Sequence, residues 1–254
     1  MNKDLTLEQR VWNYAATLQA EFLHGTHSYY HARAMGVEEY SQLWSRSDNV
    51  SWAHGFGRMR GFASVWNGSV MLYDIMATQR LQQNYEAMPE IAGFDMRPLM
   101  ELSLHALATD IIEAADDGMS ARAFFLTPGL ISSAVSNNGK RRISGLWERY
   151  GADFVYEDGC WLYLHEHVCP DMMIPCDNEN PGASNYKRMT DPDGMKPMGP
   201  PPGQNGPQLR TRPDCEDPGP MHQDWSVVQT VQDDVPWPKP YVTLDNDNTY
   251  TPLT

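Results

Sequence analysis

Along the first 45 residues apolar positions recur at steps of three and four. Leu7, Val11, Tyr14, Ala15, Leu18 and Phe22 fall near one side of a predicted helix, with Gly25 and Gly36 as points of interruption. "VEEYSQLWSR" (37–46) predicts a second, shorter helix, followed by a turn at Ser47–Asn49 and an extended "VSWAHGFGRMRG". "FASVWNGSVMLYDIMATQRLQQNYEAM" (62–88) has helical composition again and closes at Pro89. The period then changes. "LMELSLHALATDIIEAADDGMSARAFFLTPG" holds two apolar runs joined by "DDG", and "GLWERYGADFVYEDGCWLYLHEHV" holds two more joined by "EDG". Both joints have the glycine that a tight hairpin turn needs, so two antiparallel hairpins are expected. Helices first and a strongly bent antiparallel sheet afterwards give an α+β protein with the helices packed on the concave face of the sheet.

Proline distribution divides the chain. Fourteen of nineteen prolines follow Cys176, in a segment containing "MGPPPGQNGP", "CEDPGP" and "VPWPKPY". Proline fixes φ and removes a backbone donor, so 177–254 is expected as an extended arm without long helices or central strands. Trp225, Val227, Val228, Trp237 and Tyr241 are apolar anchors that favour an arm packed along its own domain or a neighbouring subunit. The domain reading is therefore a body at 1–176 and a Pro/Gly-rich arm at 177–254.

Charge narrows the ligand. A net charge of −14, from 19 basic and 33 acidic residues, argues against nucleic acid and for an uncharged or weakly charged small molecule. The N-terminal stretch lacks the apolar core of a signal peptide and no run approaches a membrane span, so a cytoplasmic protein with no membrane partner is expected. Cys160, Cys169, Cys176 and Cys215 form no C-x-x-C pair and are read as reduced.

Three stretches in order, "YYHARAMGVEEYSQLWSRSDNVSWAHGFGRMRG", "EAADDGMSARAFFLTPG" and "LWERYGADFVYEDGCWLYLHEHVCPD", resemble the SnoaL-like branch of the nuclear-transport-factor-2-like superfamily across roughly residues 7–176. The resemblance implies a cone-shaped α+β barrel with a small, often aromatic ligand in its mouth, in a homo-oligomer, dimeric or trimeric. The Pro-rich arm and the Trp- and Tyr-rich body look like the cofactor-independent 1,2-diarylpropane-1,3-diol lyases, which release formaldehyde and leave a stilbene. That likeness implies a phenolic substrate and no cofactor. SnoaL-like cyclases, dehydratases and isomerases, and a non-catalytic ligand-binding module, are the alternatives.

His24, His27, Tyr30 and His31 share one helical face at spacings of three, four and seven, where imidazole and phenol can exchange protons with an aromatic substrate. The family's helix often carries a Tyr with an acidic partner here. This chain offers Tyr29, Tyr30 and His31 without an Asp. In the extended segment Trp52, His54 and Phe56 share a side, and Arg58 continues that parity as a cation for a phenolate. His105, on the first central strand with Leu107, Thr109 and Ile111, is the leading acid–base candidate, since the resemblance implies a pocket-facing His there. Phe125 and Trp147 are expected as aromatic walls. In "GCWLYLHEHVCP" alternation puts Trp161, Tyr163, His165, His167 and Cys169 on one face. An H-x-H pair suggests a metal, but its aromatic neighbours favour stacking on a ligand, and no metal is expected. The expected roles are catalytic for His105, Arg58, Tyr30 and His167, and substrate-binding for His27, Trp52, His54, Phe125, Trp147 and His165.

Overall fold

Helix α1 (Leu7–Ala32) starts at a capping box. The Thr6 hydroxyl accepts from the Gln9 backbone N–H at 3.2 Å, while the Gln9 side chain accepts from the Thr6 N–H at 3.0 Å, so two otherwise orphaned donors are satisfied. Helix α2 (Gly36–Leu43) follows, then strands β1 (Ser51–His54) and β2 (Gly57–Arg60) and helix α3 (Phe62–Ser69). Further along come a 3-10 turn at Pro89–Ile91 and then β3 (Ser103–His105), β4 (Ala108–Ala114), β5 (Ser120–Ser132), β6 (Ile143–Glu157) and β7 (Cys160–Pro175). The structure, a computed structural model, describes residues 4–33, 35–54, 57–69, 82, 85–86, 89–91, 103–132, 143–175 and 235–254. Most of the helix expected over 62–88, Phe56, and all of the arm from 177 to 234 lie outside the described residues.

The strand order is β2-β1-β7-β6-β5-β3, with β4 also paired to β5. Both expected hairpins are present. Asp158 and Gly159 turn β6 into β7 with φ of 51° and 86°, the two positive values that a two-residue hairpin of this twist requires. Two features differ from expectation. The β1–β7 pairing is parallel, so the sheet is mixed rather than antiparallel throughout. Nor does the sheet close into a cone-shaped barrel, because its edges, β2 and the short β3 and β4, do not pair with each other among the described residues. Helix α1 packs across β3, β4, β5 and β7.

The strand expected through His105 is broken. Ala106 and Leu107 separate β3 from β4, and Thr109 takes φ of 55°, which a β-branched residue rarely adopts, at a register shift against β5. His105 faces α1, but the parity shared with Leu107 and Thr109 is lost. Gly129 makes this arrangement possible, since a Cβ there would collide with the Leu104 carbonyl.

A second correction concerns α1. The residues buried under it are Ala16, Ala20, Leu23, His24, His27 and His31. Leu7, Val11, Tyr14, Leu18 and Phe22 point away, all exposed.

Residues 235–254 lie against the face of the sheet opposite α1. Tyr241 O and Val242 O accept from the backbone N–H groups of Asp116 and Asp117, and the Tyr241 hydroxyl meets Ser120 Oγ at 3.0 Å. Gly151 lets this segment approach, because a Cβ there would sit 2.8 Å from Tyr250 and Val235 side-chain carbons. No helix among the described residues is long and apolar enough to cross a membrane.

Candidate functional site

Between α1 and the sheet lies a buried cluster rich in imidazole and carboxylate. Helical spacing stacks three rings along α1, His24 on His27 and His27 on His31, each pair with centroids 5.4 Å apart. His24 also lies flat on Phe125 of β5 at 3.8 Å, and His31 meets His105 of β3 edge-on at 4.7 Å. Three carboxylates close the cluster: Glu39 from α2, Glu148 from β6 and Glu166 from β7, none more than 3% exposed.

These groups form three linked sets. His27 sits between two carboxylates, its Nδ1 2.7 Å from Glu39 Oε1 and its Nε2 3.5 Å from Glu166 Oε1. On the sheet, His105 Nδ1 lies 3.1 Å from Glu148 Oε2, to which the Tyr150 hydroxyl donates at 2.9 Å. Finally, His24 Nδ1 lies 2.6 Å from the Tyr163 hydroxyl. His24 Nε2 and Glu39 Oε2 are among the buried cluster atoms that have no hydrogen-bond partner among the described residues. Buried polar atoms are nearly always satisfied, so each is a group that a polar ligand would satisfy.

The charges within the cluster divide the histidines. Burial alone would lower the pKa of His27, but Glu166 and Glu39 outweigh it and push it up to about 9, so His27 is an imidazolium at neutral pH. Burial first, then repulsion from His27 and His105, holds His24 well below the usual imidazole value, and His31 is depressed by burial and by His105, His27 and His54. Both are neutral rings able to accept a proton or, through the other nitrogen, donate a hydrogen bond. Burial raises Glu166 to about 7 against the pull of His27, and raises the Tyr163 phenol well above its ordinary value. Tyr163 therefore keeps its proton, and when it donates that proton to His24 Nδ1 the His24 hydrogen sits on Nε2, an atom without a partner among the described residues. Glu148 is held below the usual carboxylate range: burial pushes it up, but the hydrogen bond and charge of His105 prevail.

Of the residues expected from sequence, His27, His105, Phe125 and Trp52 are in or against this cluster, and His54 touches Trp52 edge-on at 6.0 Å. Tyr30 packs against the same core, but its hydroxyl is turned to Gln42, to which it donates at 2.9 Å. Trp147 is 39% exposed and lies beside a register shift. Arg58 does not continue the parity of Trp52. The tight turn between β1 and β2 pairs Ala53 with Arg58 and Trp52 with Met59, which sets Arg58 on the opposite face.

The largest correction is in β7. Its register against β6 shifts between Asp153 and Phe154, which pair with His165 and Tyr163 and leave Leu164 as the extra residue. Beyond this bulge the parity inverts. Tyr163 and Glu166 face α1, while His165 and His167 face the other way, where Ser51 and Ala53 are their β1 neighbours. His165 is fully buried there, its two ring nitrogens 2.8 Å from Asp153 Oδ2 and 2.9 Å from the Asn49 carbonyl. Asp153 also accepts from the Thr249 hydroxyl and the Tyr250 N–H, at 2.8 and 2.7 Å. His165 and Asp153 therefore bind the C-terminal segment to the sheet. His167 lies 3.5 Å from Cys169 Sγ on the same face. The expected face shared by Tyr163, His165 and His167 does not exist, and with it goes the H-x-H–His105 triad, since His105 is across the sheet. Among the described residues no three His, Cys, Asp or Glu side chains are grouped as ligands of one ion.

Sequence reading missed Glu39, Glu148, Glu166, Tyr150 and Tyr163 as acid–base groups. A signal for two carboxylates was present: Glu39 falls at the apolar position between Gly36 and Leu43 on α2, and Glu148 between Leu146 and Tyr150 on β6. A carboxylate at a core parity position costs several kcal/mol unless it is paired, so its presence there announces a partner.

No family model matches the chain, and no curated protein matches it. Solved structures do. One is a candidate scytalone dehydratase from Novosphingobium aromaticivorans, at 10% identity over 71% of this chain and 96% of that one, with a TM-score of 0.46. Another is a type 2 hexachlorocyclohexane dehydrochlorinase, LinA, at 12% identity over 70% and 98%, TM-score 0.44. A third is a candidate dehydratase of the nuclear-transport-factor-2-like family from Streptomyces avermitilis, at 12% identity over 62% and 97%, TM-score 0.46. At these values they carry nothing over to the side chains of the site.

Proposed function

We propose that the chain is a cofactor-independent acid–base lyase that cleaves a phenolic 1,2-diarylpropane-1,3-diol to formaldehyde, water and a stilbene. The observation that carries this reading is His27 held between Glu39 and Glu166 inside a buried, aromatic-lined cluster, at 2.7 and 3.5 Å. The reaction needs an acid, a base and a partner for phenolate charge, and no electron acceptor.

In the first step the para-phenolate pushes electrons toward the benzylic carbon and the benzylic C–O bond breaks. The departing oxygen takes a proton from the His27 imidazolium and leaves as water, giving a quinone methide. In the second step a base removes the proton of the terminal hydroxyl. The C–C bond then breaks, its electron pair forms the stilbene double bond and restores the aromatic phenolate, and the carbon departs as formaldehyde. The base is His31, a neutral ring that meets His105 edge-on at 4.7 Å, with Glu148 on the far side of His105 at 3.1 Å. His24 Nε2–H is a donor available to the phenolate oxygen. His24 thus takes the phenolate-binding role expected of Arg58, which is on the other face of the sheet, and His27 the acid role expected of Tyr30, whose hydroxyl is engaged by Gln42.

The test is incubation of purified protein with a phenolic diarylpropane diol, quantifying formaldehyde and stilbene. Equal amounts of both are expected. Loss of water without formaldehyde would make the chain a dehydratase and sink the lyase. Binding of the diol without turnover would make it a non-catalytic module.

A further inference from the structure

The amphipathic pattern of α1 is inverted with respect to its packing. The side facing the sheet is small or imidazole-bearing, while Leu7, Val11, Tyr14, Leu18, Phe22 and Tyr29 line the outward side, each between 44% and 73% exposed. With Gly25 they follow an eleven-residue repeat: Leu7, Val11, Tyr14, then Leu18, Phe22, Gly25, then Tyr29. A repeat of that length matches the helical period closely, so the stripe runs almost straight along the axis. A shallow groove of about 510 Å³ opens on it, lined by Leu18, Phe22, Gly25, Tyr29 and Leu107 together with Glu21 and Thr26.

We propose that this stripe is a two-fold interface with a second copy of the chain, the two α1 helices packing antiparallel about a dyad at Leu18. Three observations name the occupant. The stripe is self-complementary in size when reversed about Leu18: Tyr14 meets Phe22, Leu7 meets Tyr29, and Val11 seats in the notch at Gly25, where there is open space apart from Leu107 Cδ1 at 4.0 Å. Charges on its edges complement their reversed copies as well. Asp4, two residues before the N-cap of one α1, comes nearly level with Arg33, the C-cap residue of the other, whereas a parallel arrangement would set like charges level with each other. The area is also of the right size, since six large side chains at this exposure offer on the order of 700 Å² per copy, near the roughly 800 Å² per partner of stable interfaces. An exposed apolar stripe of this extent is not an ordinary monomer surface.

Sedimentation velocity and light scattering on the full chain test the arrangement. The wild type is expected as an even-numbered assembly, and Leu18→Glu, which sets two carboxylates against each other at the dyad, should halve its mass with an unchanged far-ultraviolet circular dichroism spectrum. The dissociation constant should rise by about 100-fold or more. Asp4→Arg and Arg33→Asp should each weaken association, and the two together in one chain should restore it to within about threefold of wild type. Leu18→Cys should give a disulfide-linked dimer on oxidation that Leu107→Cys, off the dyad, does not. A wild type of one or three chains, or an undiminished Leu18→Glu assembly, overturns the interface. Failure of the paired charge reversal to restore association, or absence of the Leu18→Cys dimer, overturns the antiparallel register.

Discussion

His27 is the residue on which most of the chemistry turns. A lone buried imidazole would be neutral, as His24 and His31 are; two carboxylates on different elements keep His27 charged at neutral pH. If it is the proton donor of the first step, kcat/KM should fall as the pH rises through about 9, and His27→Gln should lose this alkaline limb together with about 10²- to 10⁴-fold in rate. Glu39→Gln should move the limb to lower pH, because it removes one of the two charges that hold the proton. A pH–rate profile of the three proteins checks both. The histidines of α1 were legible in the sequence because their spacing is local to one helix. That Glu39 and Glu148 occupy core positions was readable as well, but which histidine each meets was not, since Glu39, Glu148 and Glu166 come from three elements whose meeting depends on tertiary register.

Elements decide which side chains meet, and β7 does so through its bulge. Alternation was a sound guide within each uninterrupted run and failed wherever the backbone broke period: at the β1–β2 turn for Arg58, at Thr109 after His105, and at Leu164 for His165 and His167. None of these breaks has a composition of its own. The hairpins were legible for the opposite reason, since "DDG" and "EDG" carry the turn chemistry in the residues themselves. On the face away from α1, Asp153 joins Arg122 at 3.3 Å, His165, Thr249 and the Tyr250 backbone, so it ties β5, β6, β7 and the C-terminal segment together. Asp153→Ala would leave a buried histidine and a largely buried arginine without their carboxylate, at a cost of about 3–5 kcal/mol. Thermal unfolding should show a Tm lower by roughly 10 °C. Hydrogen exchange should rise first in 241–254 if the tie acts as described, and uniformly if it does not.

For the molecule as a whole, the buried titratable groups set a stability maximum near neutrality. His27 is raised above its unfolded value of 6.5, so its contribution is complete below pH 6.5 and is lost as the pH rises through about 9. Glu166, raised from 4.5 to about 7, adds a loss in the same direction across that interval. On the acid side His24 and His31, which fold neutral, oppose folding once the pH drops below 6.5, and the contribution of Glu148 is lost as the pH falls through its depressed value. Between pH 6.5 and 9.5 the Tm of the wild type should drop by roughly 5–10 °C, and that of His27→Gln by distinctly less. Equal slopes for the two proteins would mean that His27 is not the titrating group.

The extra residue at Leu164 has a consequence for how the chain can be altered. It acts as a phase key between two chemistries, with the proton-exchanging cluster on one side of the sheet and the C-terminal fastening on the other. Deleting that one residue would leave Asp153 opposite His165 and Ala152 opposite Glu166, so both compartments would survive the loss. Flattening the bulge without a deletion, so that Leu164 takes the place opposite Asp153, would instead shift every later residue of β7 by one, carry Glu166 to the back of the sheet and bring His165 under α1.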